Sequence, residues 1–573
     1  IGFFHLWWHL NYYLKVFRQG LNSVGHNPKL LKQLENEAEG AAFNTHSPYL
    51  FKISAFLLGS TTIIAQVILM REFLTVFSGN ELVIGMILAN WMMLTGLGAY
   101  FGRQTFPVTQ SPNFLINGLS LLSVMPFATA FLINFLKNKI FPVGALISIF
   151  QIFCSSFVLL VPFCLLSGFL FTLISSVFSE HTRQNKTGYV YGFESVGSVA
   201  GGLLSGLLFI FVFSSVESLL ILVLVNGLVL IFSTRKFFPV KQIWFLLPIV
   251  FAAFAALFFH PEKLVRSFVY PNQEIVASKD SPFGNMVVTR REKLWSVYQD
   301  NNLLFDSENF MLNEEAVHFP MIQHQHPGSV LLISGDLVGQ LNELKKYHLS
   351  EIDFIEENRW LMTLLKDSLS RVTDPAVRIV AIDPVRFVRK TMNTYDVVIL
   401  NLYSPSTMQS NRFYTVDFYE ALKKRMAPDG IVSFGIAMPV NYQNQEATAL
   451  NSTLLASLKT SFRNVIILPG EKLYFLASDA PLSYHIAELI GGKGIETRYV
   501  NSDYFNDSLL QQRGELIQSA LHPGAPVNQN LKPVAYNQQI LFWLSQFSGR
   551  YWILAALTGL LAFLVFFRGN MFS

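Results

Sequence analysis

The residues best suited to chemistry stand where four short apolar runs end. Residues 330–333 lead into a turn holding Gly335 and Gly339, and residues 352–355 end on Glu356. Residues 377–382 end on Asp383, and residues 395–400 end on Asn401-Leu402-Tyr403-Ser404-Pro405. Glu356 lies about 20 residues beyond the glycine turn, the spacing at which an acidic side chain takes the two hydroxyls of a ribose. Together these endings describe a nucleoside site. The plainer alternative is that Glu356 and Asp383 cap strand ends and accept from loop amides. His318, His324 and His326 have no cysteine or carboxylate at a tight ligand spacing, so no metal site is expected. No phosphate-cradling loop and no Ser-His-Asp signature stands out.

A second group of polar side chains lies inside long apolar runs of the first half. Gln66, Arg71, Glu72, Asn90, Glu194 and Asn226 are set where charge is costly and is kept for use or for pairing. Arg71, Glu72 and Glu194 are expected to form one polar cluster that pins a helical bundle. As a working site, the same cluster would be a polar path or cavity. Gly192, Ser195, Gly197, Ser198, Gly201, Gly202 and Gly206 would let one helix pack closely on its neighbours.

The elements that must carry these residues are of two kinds. Continuous β-rich apolar runs separated by helical stretches mark a parallel sheet covered on both faces, with ligands bound outside the carboxyl ends of its strands. Ahead of that sheet, residues 273–305 alternate apolar and polar around turn signals, as antiparallel hairpins do. After it come a helix (416–426), a strand (431–436), a helix (447–461) and a strand pair (465–468, 473–477), and residues 497–533 are polar and loop-rich.

The other kind is membrane helix. A mean hydropathy of +0.38 with 14% charged residues points to a membrane protein, and a net charge of +4 over 573 residues leaves no nucleic-acid footprint. Seven runs, about 51–77, 82–101, 114–136, 141–178, 190–213, 219–232 with its flanks, and 243–259, are each long enough to span a bilayer. The run 141–178 lacks a polar turn and is read as one span. An eighth run covers 551–567. Residues 1–17 are aromatic and short for a span; His5 and His9 stand four apart, and the segment is read as an interfacial helix rather than a metal site. Cys154 and Cys164 are read as packing residues.

The expected division is therefore an interfacial helix and connector (1–49), a bundle of about seven helices (50–260), an α/β domain (261–548) and a last span (549–573). Lysine and arginine are richer on the side of the leading segment and the even loops. The positive-inside rule then puts that side in the cytoplasm and the α/β domain outside it. The chain starts at Ile1, so neither end is taken as native.

Asp280-Ser281-Pro282-Phe283, residues 331–335, Ile355-Glu356, residues 395–400 and Arg412-Phe413-Tyr414 fall in an order similar to that of spermidine synthases, above all their membrane-fused relatives. The resemblance implies a multi-pass α-helical membrane bundle joined to a Rossmann-like domain of the methyltransferase and spermidine synthase type, with a hairpin section before it. It implies an adenosyl cofactor (S-adenosylmethionine, its decarboxylated form or methylthioadenosine) held by Gly335, Gly339, Glu356 at the ribose and Asp383 at the adenine. Asp306 and His318 match lid-side positions. The family's two motif carboxylates fall on Asn401 and Ser404, and its pocket glutamine falls on Gly284. Neither Asn nor Ser takes a proton from an amine at neutral pH. Asp336 and Val338 are expected to crowd the glycine turn.

The chain is therefore expected to be a pseudoenzyme, docking or sensing within an assembly of membrane subunits or copies of itself in a bacterial cytoplasmic membrane. A membrane-bound aminopropyl- or methyl-transferase is the alternative. A carrier working through the bundle is a third reading, weakened by the lack of a clear inverted repeat.

Overall fold

The computed structural model describes residues 48–77, 79–104, 112–182, 184–234, 241–259, 261–365, 374–438 and 444–547. The segments 1–17, 22–44 and 551–567 lie outside the described residues. The chain forms two compact units, one of residues up to 289 with 299–302, the other of 290–298 with those from 303 onward. Residues 261–289 thus group with the helices, although hydropathy alone starts the second domain at 261.

In the first unit, α1 (Pro48–Phe77), α2 (Glu81–Gln104), α3 (Pro112–Ile140), α4 (Ile149–Thr182), α5 (Thr187–Leu204), α6 (Ser215–Thr234) and α7 (Lys241–Leu257) follow the apolar runs. Among the described residues, six helices are long and apolar enough to cross a membrane. A seventh is reached only if α7 and the short α8 (Pro261–Ser267), bent by 82° at their junction, count as one span. The run 141–178 holds one helix, as expected, but that helix starts at Ile149. Past α5 the chain makes a π-helical turn, Ser205–Phe209. The stripe of small residues works only in part. A side chain at Gly197 would strike the Phe56 carbonyl, and one at Gly201 would lie 2.7 Å from the Ser60 carbonyl, so α5 and α1 touch backbone to backbone there. Gly192 and Gly206 meet nothing within 4 Å.

Strands β1 (Glu274–Ser281), β2 (Gly284–Arg291), β3 (Leu294–Gln299) and β4 (Asn302–Asp306) follow in the order β1-β2-β3-β4, bearing out the hairpin section.

The second unit is built on a seven-stranded sheet of order β10-β11-β9-β8-β5-β6-β7. Its strands are β5 (Ser329–Ile333), β6 (Glu351–Ile355), β7 (Val377–Val380), β8 (Tyr395–Leu400), β9 (Met426–Ile436), β10 (Asn464–Pro469) and β11 (Leu473–Ser478). Strands β5 to β9 pair in parallel, and β9, β11 and β10 pair antiparallel. Side chains alternate between the faces. Leu331, Ile333, Val398 and Leu400 enter one core, and Val330, Leu332, Val397 and Ile399 the other. Helices α9 (Phe310–Met321), α10 (Leu337–Leu344), α11 (Arg359–Leu364), α12 (Pro384–Lys390), α13 (Val416–Lys423), α14 (Gln445–Ser461), α15 (Ile486–Gly492), α16 (Asp507–Ser519) and α17 (Val534–Ser545) accompany it.

Three expectations change. Strand β7 stops at Val380, so Asp383 is not a strand end but the N-cap of α12, accepting from the Arg386 amide at 2.8 Å. Strand β9 starts at Met426 and runs through Pro428-Asp429-Gly430, which reads in sequence as a turn; a register shift relieves the pairing there. The loop-rich stretch 497–533 contains α16, capped by Asn506.

Candidate functional site

Strand order reverses between β5 and its neighbours β6 and β8, and a crevice opens at such a switch point. There the chain leaves β5 through Ser334 and Gly335, both with positive φ (58° and 96°). A cavity of about 70 Å³ lies at this end of the sheet, lined among others by Asn309, Asn313, Asp336, Gln340, Asn401 and Lys472.

Asn401 lies flat on the glycine turn. A Cβ added at Gly335 would stand 2.6 Å from the Asn401 Cβ. Asn401 Nδ2 donates to Gln340 Oε1 at 2.9 Å and to the Ser334 carbonyl at 3.3 Å. Ser404 is not among the cavity's lining residues; its carbonyl accepts from Ser410 Oγ at 3.0 Å. The two motif positions are therefore not brought together around one substrate. Gly339 is also displaced from its expected role, since α10 begins at Leu337 and Gly339 sits inside its first turn. Asp336 caps that helix through the Gly339 amide (3.1 Å) and accepts from Asn313 Nδ2 (2.9 Å). Burial holds the Asp336 carboxyl above its usual range. Val338, 39% exposed, does not line the cavity, so of the two residues expected to crowd the turn only Asp336 does.

The two acids expected to hold a nucleoside are engaged by the protein itself. Glu356 is buried, accepts from the Asn358 amide at 2.8 Å and is hydrogen-bonded by the Ser334 side chain; burial raises its pKa. Asp383 is paired with Arg412, which also reaches Glu357 Oε2 at 2.8 Å. An adenosyl group needs a pocket of several hundred Å³, and a cavity of about 70 Å³ holds only a few waters. The residues present do not fit that cofactor in this conformation. The lid-side positions are also internal: Asp306 accepts from the Glu308 amide (3.0 Å), and buried His318 joins Tyr347 (2.8 Å) and Glu343 (2.9 Å). His324 instead approaches Asp429 at 3.2 Å, so the histidines are not gathered.

Sequence reasoning missed Lys472 and Glu315, which carry no motif. Glu315, fully buried, accepts from the Glu471 amide at 3.0 and 2.8 Å and is hydrogen-bonded to Tyr474. It thereby fixes the turn between β10 and β11 that presents Lys472. Burial pushes the Glu315 carboxyl up to about 8 and the Lys472 ammonium down.

The expected cluster of Arg71, Glu72 and Glu194 does not form. Glu72 pairs with Arg266 of α8, Oε1 at 2.7 Å and Oε2 at 2.9 Å, in a bidentate bridge. Arg266 also holds Glu262 (2.6 Å) and Asn134 (3.1 Å) and lies 3.7 Å from Asp280. Asp280 in turn accepts from Asn285 Nδ2 and the Ser215 amide, each at 2.6 Å. Arg71, next to Glu72 and so on a different helix face, donates to the Ser281 carbonyl at 2.9 Å. Among the described residues, Glu194 takes only the Ser198 hydroxyl, at 3.2 Å. Asn90 and Asn226 likewise find polar partners, Ser156 (2.9 Å) and Thr61 (2.7 Å). Gly284 stands elsewhere in this unit, with the Asp300 carboxylate where its side chain would be.

Comparison with known proteins agrees with the motif order. Residues 309–466 match the spermine/spermidine synthase domain. Polyamine aminopropyltransferase 2 of Aquifex aeolicus (strain VF5) is 24% identical over 497 residues, 84% of this chain and 97% of that one. The polyamine aminopropyltransferase of Oceanobacillus iheyensis is 25% identical over 329 residues, and this chain spans 62% of its length. That of Thermotoga maritima is 32% identical over 136 residues, 22% of this chain and 45% of its own. A spermidine synthase solved with the transition-state analogue AdoDATO aligns at 20% identity over 43% of this chain and 88% of its own, with a TM-score of 0.37. Residues 309–466 are thus similar to a spermine/spermidine synthase domain, and a long extension of apolar helices precedes them.

Proposed function

We propose that this is a membrane-embedded relative of the polyamine aminopropyltransferases that does not transfer aminopropyl groups, and that its α/β unit serves as a sensing or docking module. One observation carries the reading. Asn401, at a motif carboxylate position, is locked to Gln340 and to the Ser334 carbonyl and offers no base to an amine nucleophile. The engaged Glu356 and Asp383 support it, as does the small cavity.

Aminopropyl transfer needs the amine deprotonated beside a carboxylate, and removal of such a group costs about 10²- to 10⁴-fold in rate. The purified full chain, given decarboxylated S-adenosylmethionine and putrescine, is expected to form no spermidine above background. Calorimetry with S-adenosylmethionine, its decarboxylated form and methylthioadenosine is expected to give no heat of binding. Turnover at an ordinary synthase rate would overturn the proposal. A membrane-bound transferase is the second reading, favoured by the 497-residue match to polyamine aminopropyltransferase 2. The same assay separates the two.

A further inference from the structure

The cavity at the ends of β5 and β8 has two charged side chains in its lining, and they differ in what they still have to offer. Asp336 is engaged at both oxygens: Oδ1 accepts from the Gly339 amide and Oδ2 from Asn313. Lys472 is not. Among the described residues its ammonium makes no hydrogen bond and no ion pair; the nearby Glu315 carboxyl is itself bound to the Glu471 amide and Tyr474. The remaining uncommitted polar groups are amides. Gln340 accepts from Asn401 through Oε1, which leaves its Nε2 as a donor, and Asn309, at the start of α9, makes no capping bond with its side chain.

A free ammonium beside two free amide donors repels a polyamine or a sulfonium cation and suits a carboxylate. Its oxygens accept in a charge-assisted bond from the lysine and in neutral bonds from the amides. Size narrows the class further. About 70 Å³ is the room of two or three waters, or of a carboxylate with about four heavy atoms. We infer that this cavity binds a small monocarboxylate, with Lys472 holding its charge and Gln340 and Asn309 orienting it. The inference deepens the sensing role proposed above by naming the chemistry sensed.

The test uses the purified full chain in detergent, with ¹³C-acetate as probe and saturation-transfer NMR as readout. Acetate is expected to give a saturable signal in the millimolar range. Acetamide, the same shape without charge, is expected to give none, and putrescine is expected not to displace acetate. Lys472→Met, which keeps an unbranched apolar stem without the ammonium, is expected to weaken acetate binding about ten-fold or more. The inference is overturned by the absence of saturable acetate binding, by equal binding of acetamide, by displacement with putrescine, or by an unchanged affinity in a folded Lys472→Met protein. The acetamide and putrescine arms use the unaltered chain and stand even if the variant does not fold. Failure here with no spermidine formed removes only the carboxylate; spermidine formation removes the proposed function itself.

Discussion

Arg266 and Lys472 are the two cations on which their units turn, and the units treat them differently. Arg266, 1% exposed, has its guanidinium filled by Glu72, Glu262 and Asn134, with Asp280 close by. Lys472 is less buried and looks into a cavity with no hydrogen-bond partner among the described residues. A buried cation with every guanidinium nitrogen bonded is part of the frame, since removal of a partner weakens the compensation of its charge. A cation held at a cavity wall by a neighbouring turn has its bonding capacity left for something else. Satisfaction of the hydrogen-bonding valence, more than charge or depth, separates a strut from a binding group.

The largest effect that would break this contrast lies at Glu72. Glu72→Leu removes both arms of the bidentate bridge, leaves the buried Arg266 guanidinium with Glu262, Asn134 and the more distant Asp280, and is expected to cost about 3 kcal/mol, read as loss of folded protein in detergent. Glu72→Gln keeps one acceptor and should lose less. Equal yields of wild type and Glu72→Leu would mean that the bridge is not structural.

A middle-sized effect is expected at Glu315, which positions the Lys472 turn. Its carboxyl is raised by burial, so the folded state binds a proton that the unfolded state releases. The stability this contributes is present in mildly acidic solution and is lost as pH rises from the ordinary carboxylate range through about 8. Glu315→Gln, permanently neutral, should therefore melt higher than wild type at pH 9, by on the order of 2 kcal/mol, and close to it at pH 5. Parallel melting-pH curves for the two proteins would refute this.

Glu194 supplies the smallest effect. With the Ser198 hydroxyl as its partner and its side chain partly exposed, Glu194→Leu is expected to change stability by about 0.5 kcal/mol or less. Loss of folding comparable to that of Glu72→Leu would restore the cluster that hydropathy suggested.

What was legible in the sequence was local. The β5 to β8 strands, the hairpins ahead of them and the single helix within 141–178 all follow from apolar runs punctuated by turn residues, because those signals act over a few neighbours. The partners of the charged residues were not legible. Glu72 and Arg266 stand 194 positions apart, and nothing near Glu72 selects Arg266 over the adjacent Arg71. The one local hint is that Glu262 and Arg266 lie four apart on a short helix, a spacing that orients both side chains the same way. At the site, type and position of Glu356 and Asp383 were readable, but their engagement was not. That depends on the Asn358 amide and on Arg412, which the fold alone brings in. Polar α16 escaped notice because it has little apolar periodicity, though Asn506 at its N-cap is the kind of residue that starts a helix.

Arg412 has one more consequence. Because it joins Asp383 to Glu357, Asp383 is an occupied acceptor, and any arriving ligand meets an exchange rather than an addition. A neutral amino group, such as that of an adenine, would have to replace a charge-assisted bond with a weaker one and release the guanidinium from its place between two carboxylates. Only a ligand that also gave Arg412 a new anion could make the trade evenly. The loops that follow β6 and β7 are latched by one side chain, and the latch has to open before a nucleoside takes Asp383.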